Sequence, residues 1–212
     1  MSIITIRSLV QLAVVGISTA AAIAPPAITA TPYGLITRKV QLHDGTTITI
    51  GENPNLVFTP ESPNGSKDTK HKRVDWQELD ISSPIQDFCW DESRPQFSYG
   101  SSAPLAADCQ KIVDYYSGVR NFGVRGKWTL YPYDLENGKV VPLVKVDGCQ
   151  FQLTLSGEIG QKVYWGDNDL VYYVNNQLKY AKDGRVQAED FTACYVMDEK
   201  KYVQLKWRLV KA

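Results

Sequence analysis

Histidine is nearly absent from this chain of 212 residues. The two that occur, His43 and His71, both lie upstream of the four cysteines. The cysteine-bearing part therefore lacks the imidazole of a Ser-His-Asp or Cys-His nucleophile system and of histidine-based zinc sites. We expect no metal, no cofactor and no catalysis of these kinds.

An excess of charge of one sign is also missing, since 23 basic residues balance 23 acidic ones. Residues 1–73 hold 7 basic and 4 acidic residues, which leaves 16 and 19 for residues 74–212, a net charge of about −3. Nucleic-acid binding through phosphate contacts needs a basic surface, so it is disfavoured. Strong attraction to an anionic membrane is disfavoured for the same reason.

Long hydrophobic runs are confined to the N-terminus. Arg7 precedes the apolar stretch Leu9–Ala24, and small residues follow, with a cut near Ala20. This pattern predicts that residues 1–24 are a signal peptide and that the protein is secreted to the extracellular space. The run is interrupted by polar residues and is shorter than the ~20 residues that span a bilayer, so we expect no stable membrane insertion.

Four cysteines, Cys89, Cys109, Cys149 and Cys194, follow the export signal. In a secreted chain this number predicts two disulfides, for which three connectivities exist. Cys109 lies on the apolar stripe of a predicted helix, and Cys149 lies on the apolar side of a predicted strand. This placement favours a Cys109–Cys149 bridge and leaves Cys89 to pair with Cys194.

Residues 25–73 contain no cysteine and no tryptophan. Asp44-Gly45 separates two β-type runs, 38–42 and 46–50, which is a hairpin signal. An isolated hairpin is marginally stable in water. We therefore interpret residues 25–73 as a pro-segment, a flexible arm or an arm that pairs with another strand.

This segment ends in the dibasic pair Lys72-Arg73. A dibasic pair in a polar linker suits a processing protease of the secretory pathway, although an ordinary solvated charge run is the alternative. Asn64-Gly65-Ser66 is a glycosylation sequon, with Asn64 as the acceptor.

Residues 74–212 are enough for one core. Apolar spacing predicts one helix from Pro104 to Gly118 and a second beginning at Asp167-Asn168-Asp169 and closing at Asp183-Gly184. Strands are predicted around 127–131, 140–146, 149–155, 162–165, 185–196 and 202–210. Their alternation favours a largely antiparallel sheet, so we predict an α+β two-layer sandwich with two helices packed on one face.

Two carboxylate pairs are the remaining candidates for catalysis, Asp167 with Asp169 and Asp134 with Glu136. Paired carboxylates are the groups that a glycosidase uses. A helix cap explains the first pair better than catalysis does, and a turn explains the second, so we do not expect an enzyme.

Five tryptophans suggest a surface that stacks on sugars. Trp90 and Trp165 are the two expected to be exposed, and Tyr172 and Tyr173 would extend the same surface. Core packing is the alternative for all of them.

Several motifs occur in one order: Phe88-Cys89, Ala103-Pro104-Leu105-Ala106-Ala107-Asp108-Cys109, Gly126-Lys127-Trp128, Gly148-Cys149-Gln150-Phe151, Gly166-Asp167-Asn168-Asp169-Leu170, Gly184-Arg185-Val186-Gln187-Ala188 and Cys194. Over residues 86–196 this order resembles the fungal secreted effector family of the extracellular-protein-two (Ecp-two) type, also named for necrosis-inducing factors. The chain departs from the family at Trp90 and at Glu189-Asp190, where glycine is frequent.

The resemblance implies a killer-toxin-like sandwich and a secreted fungal virulence factor that promotes disease or host cell death. It implies no catalytic residues. We expect a monomer that binds an unknown protein of a host or competitor. A killer-toxin-like channel blocker or a module that binds cell-wall glycan is the alternative, and a carboxylate-based secreted hydrolase is the third.

Overall fold

A computed structural model describes residues 29–30, 34–60, 88–90, 94–121, 124–131, 139–155, 162–196 and 201–212. The predicted signal peptide, the sequon at Asn64 and the dibasic pair Lys72-Arg73 lie outside these residues. The candidate carboxylates Asp134 and Glu136 lie outside them too. Predictions made for these positions remain predictions.

Twelve strands and two helices follow one another in the described part of the chain. They are β1 (Thr29–Ala30), β2 (Ile36–Gln41), β3 (Thr47–Glu52), β4 (Leu56–Pro60), β5 (Cys89–Trp90), β6 (Gln96–Ser98), α1 (Ala106–Asn121), β7 (Val124–Leu130), β8 (Val140–Val146), β9 (Cys149–Leu155), β10 (Val163–Gly166), α2 (Asp167–Leu178), β11 (Gln187–Val196) and β12 (Lys201–Lys211).

The strands form one sheet in the order β1-β2-β3-β8-β9-β12-β11-β10-β7-β4, and the short β5 and β6 pair with β11. Every pairing among the described residues is antiparallel. Two disulfides, Cys89–Cys194 and Cys109–Cys149, link distant parts of the chain. The predicted α+β class, with two helices, a largely antiparallel sheet and two disulfides, is therefore confirmed.

Helix α1 begins and ends later than its pattern predicts. Cys109, Ile112 and Tyr116 form its buried stripe, but Leu105 precedes the helix and is 43% exposed. Gly118 does not end the helix, which continues to Asn121. A glycine inside a helix costs only about 1 kcal/mol, so a well-packed stripe outweighs it.

The core is a layer of tryptophans and tyrosines between the helices and the sheet. Trp128 of β7 and Trp165 of β10 are direct cross-strand neighbours, and both are fully buried. Tyr116 of α1 packs on Trp128 with ring centroids 5.5 Å apart, and Tyr173 of α2 packs on Trp165 and Trp207 at 5.4 and 5.3 Å. Each helix thus packs a tyrosine, Tyr116 of α1 and Tyr173 of α2, against the apolar face of the sheet.

The sheet closes on itself through its N-terminal strands. In the path of eight strands from β3 to β4, the two end strands are separated in sequence only by residues 53–55. Asn53 donates from its backbone amide to Leu143 O (2.9 Å) and from Nδ2 to Pro142 O (3.1 Å), both on β8. Asn55 O accepts from Thr129 of β7 (3.2 Å). This short turn therefore bridges β7 and β8, which are far apart along the hydrogen-bonded path.

Residues 34–60, which we call the arm, belong to the same core as the cysteine-bearing residues. Leu35, Ile48 and Ile50 are buried, and burying each such side chain contributes about 1.5–3 kcal/mol. The hairpin predicted around Asp44-Gly45 is confirmed as β2–β3. Strand pairing joins β3 to β8 and β4 to β7, so the arm is part of the sheet. A domain boundary after Arg73 would divide this core.

Four side chains join the arm to α1. Glu52 accepts from Arg38 Nε (2.8 Å) and from the Tyr116 hydroxyl (2.7 Å), and Arg38 Nη2 donates to the Tyr115 hydroxyl (2.6 Å). The Arg38 guanidinium also lies 6.0 Å from the ring of Phe58 on β4. The β2–β3 hairpin therefore bonds to α1 through Arg38 and the buried Glu52, and β4 contacts the same Arg38 through Phe58.

Alkaline unfolding tests this junction. Burial and the Glu52 carboxylate raise the pKa of Tyr115 from 10.0 to about 12 and raise the pKa of Tyr116 well above its ordinary value. The folded state holds these protons more tightly, so its extra stability is complete below the unfolded pKa and is lost as the pH rises through about 12. We expect the free energy of unfolding, measured with urea at pH 9 to 12, to fall by about 2–3 kcal/mol for Tyr115 alone.

The variant Tyr115→Phe should lose part of this dependence on pH, since it has no phenol proton at that position. Tyr180→Phe, at a residue that is 56% exposed, is the matched control and should keep the wild-type dependence. Equal slopes of stability against pH for wild type and Tyr115→Phe would contradict the account.

Candidate functional site

The first turn of α2 is bound to the strand that carries Cys89. The Asp169 carboxylate accepts hydrogen bonds from the backbone amides of Phe88 (2.9 Å), Gly166 (3.0 Å) and Cys89 (3.3 Å). Gly166 is the N-cap of α2, so one carboxylate both caps the helix and holds the start of β5. Cys89 is in turn bonded to Cys194, its direct partner on β11.

Asp167 makes a structural contact of the same kind. Its Oδ2 accepts from the Gly126 amide at 2.9 Å and so joins α2 to β7. A Cβ at Gly126 would lie only 3.2 Å from side-chain carbons of both Leu56 and Phe58, so those side chains of β4 would have to shift by a few tenths of an ångström. Asp167 and Asp169 are both buried and bonded to backbone amides. The hydrolase hypothesis therefore has no open site at this pair, because a saccharide cannot reach it.

The start of α1 is fastened to the turn between β8 and β9. Cys109 and Cys149 form a disulfide with Cα atoms 5.2 Å apart. Next to it, Asp108 Oδ2 accepts from the Gly148 amide at 3.3 Å. A Cβ at Gly148 would lie 2.9 Å from that oxygen, so this contact requires glycine. The Asp-Cys and Gly-Cys motifs thus form one junction.

The aromatic residues predicted to form a recognition surface lie mainly in the core. Trp165 is fully buried, and its ring packs 5.4 Å from those of Phe151 and Tyr173. Tyr173 is buried too, with its hydroxyl 2.6 Å from Thr192 Oγ1. The predicted exposure of Trp165 is wrong, because this residue lies on the strand face that the helices cover. Neither ring is accessible for stacking on a sugar.

Tyr172 and Trp90, the other two residues predicted to form the recognition surface, are only partly tested by the structure. Tyr172 is half-buried and packs against Tyr173 with nearly perpendicular rings. Only the backbone of Trp90 is described, and it pairs with Ala193 of β11. A role for Trp90 in binding stays a prediction.

A different group of side chains forms a partly exposed aromatic cluster, which we call the aromatic patch: Phe97, Tyr99, Tyr180 and Lys182. The ring of Phe97 lies 4.9 Å from that of Tyr180 and 6.3 Å from that of Tyr99, to which it is nearly parallel. Lys182 Nζ lies 4.6 Å from the centroid of the Tyr99 ring. Tyr180 is 56% exposed and Lys182 is exposed, whereas Phe97 and Tyr99 are half-buried. The cluster therefore meets solvent mainly through Tyr180 and Lys182.

Two neighbouring elements position the aromatic patch. Phe97 lies on β6, where it pairs with Ala188 of β11, and Tyr99 follows on the same side. Tyr180 and Lys182 follow the end of α2, just before the turn in which Asp183 and Gly184 both have positive φ. The sequence signal for β6 is only three residues long, so sequence analysis did not identify this surface.

Basic groups border the aromatic patch. Lys179 and Lys182 flank Tyr180 and are exposed, and Lys211 Nζ donates to Ser101 O (3.1 Å), two residues after Tyr99. Among the described residues Lys182 makes a ring contact but no ion pair. The patch therefore presents aromatic rings beside lysine side chains, a combination that suits an acidic partner.

The outer face of β11 and β12 is organised differently. Glu189 accepts from Lys206 Nζ and from Arg208 Nε, both at 2.8 Å, and these bonds lower the pKa of Glu189. Lys206 also lies 5.7 Å from the ring of Phe191, which is 41% exposed. Opposite charges are already paired here, so this face is a less favourable binding surface than the aromatic patch.

One family model matches the chain over residues 88–194, the Hce2 family, described as a pathogen effector and putative necrosis-inducing factor. The chain belongs to the Hce2 family. The match agrees with the resemblance to Ecp-two effectors that the motifs indicate. No curated protein matches the chain.

The motifs that the chain shares with this family build its frame. Asp169, Gly126, Asp108 and Gly148 supply hydrogen bonds or close backbone approaches, and the cysteines form the two bridges. The aromatic patch lies outside these motifs. The motifs that carry the resemblance to the family therefore build the scaffold.

Two further observations concern metal sites and membrane-spanning helices. Among the described residues, no group of three His, Cys, Asp or Glu side chains is arranged to hold a metal ion. Neither of the helices that the structure describes has the length and apolar character needed to cross a membrane.

Replacing Asp169 tests its role in the frame. In Asp169→Asn the amide group would present a donor to three backbone donors, so at least one buried amide loses its acceptor. We expect a loss of about 2–4 kcal/mol in the free energy of unfolding, measured with guanidinium by circular dichroism.

Asp183→Asn is the control for this substitution. It makes the same chemical change at an exposed turn residue and should alter stability by less than about 0.5 kcal/mol. A stability of Asp169→Asn equal to that of the control would refute the structural role of this carboxylate.

Proposed function

We propose that this protein is a secreted fungal effector that acts by binding a surface protein of a host or competitor cell, without catalysis. The observation that carries the proposal is the aromatic patch, a partly exposed set of rings beside basic groups on a frame of buried motif residues. Asp167 and Asp169, the described carboxylates that a hydrolase would need, are bonded to backbone amides inside the frame. The aromatic patch supplies contact area for a partner. Such a protein touches its target and leaves it chemically unchanged.

The composition of the patch supports a protein partner. Tyrosine and phenylalanine are enriched at the centres of protein interfaces, where one end of the ring is buried and the other stays wet. Phe97 and Tyr180 are already in contact, so little side-chain freedom is lost on binding. Lys179 and Lys182 at the margin favour a partner with acidic side chains around an apolar anchor.

Secretion is supported by the two disulfides, which form and persist in oxidising compartments. The predicted signal peptide at residues 1–24 is the route that we propose. The extracellular space of the host tissue is then the place of action.

Cell-wall glycan is the second candidate partner, because one observation favours it. The rings of Phe97 and Tyr99 are inclined by only 9°, and nearly parallel aromatic faces suit a row of pyranose rings. A killer-toxin-like block of a channel remains a prediction from resemblance.

Binding of the labelled full-length chain to intact host cells tests the proposal. We expect saturable binding that is lost after the cell surface is treated with protease and that survives treatment with glycosidases. The double variant Phe97→Ala/Tyr180→Ala should bind at least tenfold more weakly, as expected when two aromatic anchors are truncated. Infiltration of the same proteins into leaf tissue should give a weaker response for this variant.

The control is Phe191→Ala/Tyr202→Ala, which removes two rings that are also exposed but lie outside the patch. It should bind like wild type. Binding that resists protease and is lost with glycosidases would favour the glycan. Equal weakening by both double variants would contradict a role for the patch.

A further inference from the structure

We propose that β7 and β8 form a binding site for a β-hairpin, that its ligand is the arm of residues 34–60, and that the arm stays bound when the chain is cut between β4 and β5. The mature protein after such a cut is a complex of two chains held by strand pairing. The inference is independent of the target that the aromatic patch binds.

On the β8 side the arm completes the sheet. Ile50, Gly51 and Glu52 of β3 pair with Val146, Lys145 and Val144. Leu42, Ile48 and Ile50 of the hairpin belong to the same buried core as α1 and the tryptophans. Without the arm, the free edge of β8 and this part of the core would face water.

On the β7 side the arm adds a second strand. All five residues of β4, from Leu56 to Pro60, pair in register with residues of β7. The space for them depends on Gly126, since side-chain carbons of Leu56 and Phe58 lie 3.2 Å from where its Cβ would be. Gly126 lies within the residues that the Hce2 model matches and belongs to one of the motifs that carry the resemblance to the family.

Residues 52–55 of the arm, between β3 and β4, contact β8, β7 and α1. Asn53 bonds to β8 and Asn55 to β7, and the Glu52 carboxylate is held by the Tyr116 hydroxyl. The Asn53 and Glu52 side-chain bonds are buried. If the arm left the site, Glu52 and Tyr116 would lose their bond to each other and would bond to water in its place. The hairpin therefore fits the site through backbone pairing, apolar burial and specific polar bonds together.

No covalent link other than the main chain joins the arm to the site. All four cysteines lie at or after residue 89, so neither disulfide involves the arm. A cut in residues 61–87 would leave only the non-covalent contacts. A protease acting after Lys72-Arg73 would make such a cut, and the arm would then be a retained subunit and not a discarded pro-segment.

The experiment uses the full-length chain with the recognition sequence of a site-specific protease inserted between Ser66 and Lys67. The folded protein is cut under native conditions, and the products are separated by size exclusion and weighed by native mass spectrometry. We expect the arm fragment and the disulfide-bonded fragment to elute together and to separate only in denaturant. The uncut protein provides the reference elution volume and near-ultraviolet spectrum.

A variant with a weakened contact between the arm and β8 tests whether the proposed site holds the arm. Asn53→Ala removes the side-chain bond to Pro142 O, and after cutting it should release the arm about tenfold faster than the wild-type sequence does. Asn176→Ala, on an exposed part of α2, is the matched control and should release it at the wild-type rate. Folding of each variant is checked before cutting.

Co-elution of the wild-type fragments, with faster release in Asn53→Ala, would support the proposal. Separation of the wild-type fragments in native buffer would overturn it, whatever the state of the disulfide-bonded fragment. Release at equal rates from Asn53→Ala and from its control would overturn the proposed site.

Discussion

The closure of the sheet by three residues is the constraint on which the rest of the structure depends. Residues 53–55 join β3 to β4, so the end of β3 and the start of β4, at opposite ends of a path of eight strands, must lie close together. The Asn53 and Asn55 bonds to β8 and β7 fix that meeting point, and Glu52 fixes it to α1. Because the sheet is held in this curled form, its apolar face encloses the tyrosines of both helices, and the buried tryptophans have partners on each side.

The family motifs and the arm stabilise different parts of the fold. The motifs fasten each helix to the sheet: Asp108 and Cys109 hold α1 to the turn after β8, and Asp167 and Asp169 hold α2 to β7 and β5. None of these contacts closes the sheet, and closure comes from outside the residues that the Hce2 model matches. A frame fixed from within by buried polar contacts leaves its exposed side chains free to differ, which suits proteins that recognise different targets on one scaffold.

Much of the fold follows from the sequence because period and capping signals are strong there. Strands β8 and β9 have the predicted bounds, and the hairpin at Asp44-Gly45 forms where its turn residues place it. What the sequence does not contain is the register of the arm with β7 and β8, since non-local pairing has no local signal. For the same reason Trp165 was assigned to the surface: its buried side is decided by Trp128 on another strand. The aromatic patch was missed because β6 is too short to show alternation.

Native-state hydrogen exchange on the intact chain measures the central claim most directly. If the arm and the disulfide-bonded residues form one cooperative unit, the amides of β3 that pair with β8 and the Thr129 amide that bonds to Asn55 should open with the same free energy as the buried amides of β9 and α1. Exchange of the β3 amides near the rate of an unfolded peptide, while β9 and α1 remain protected, would contradict the account.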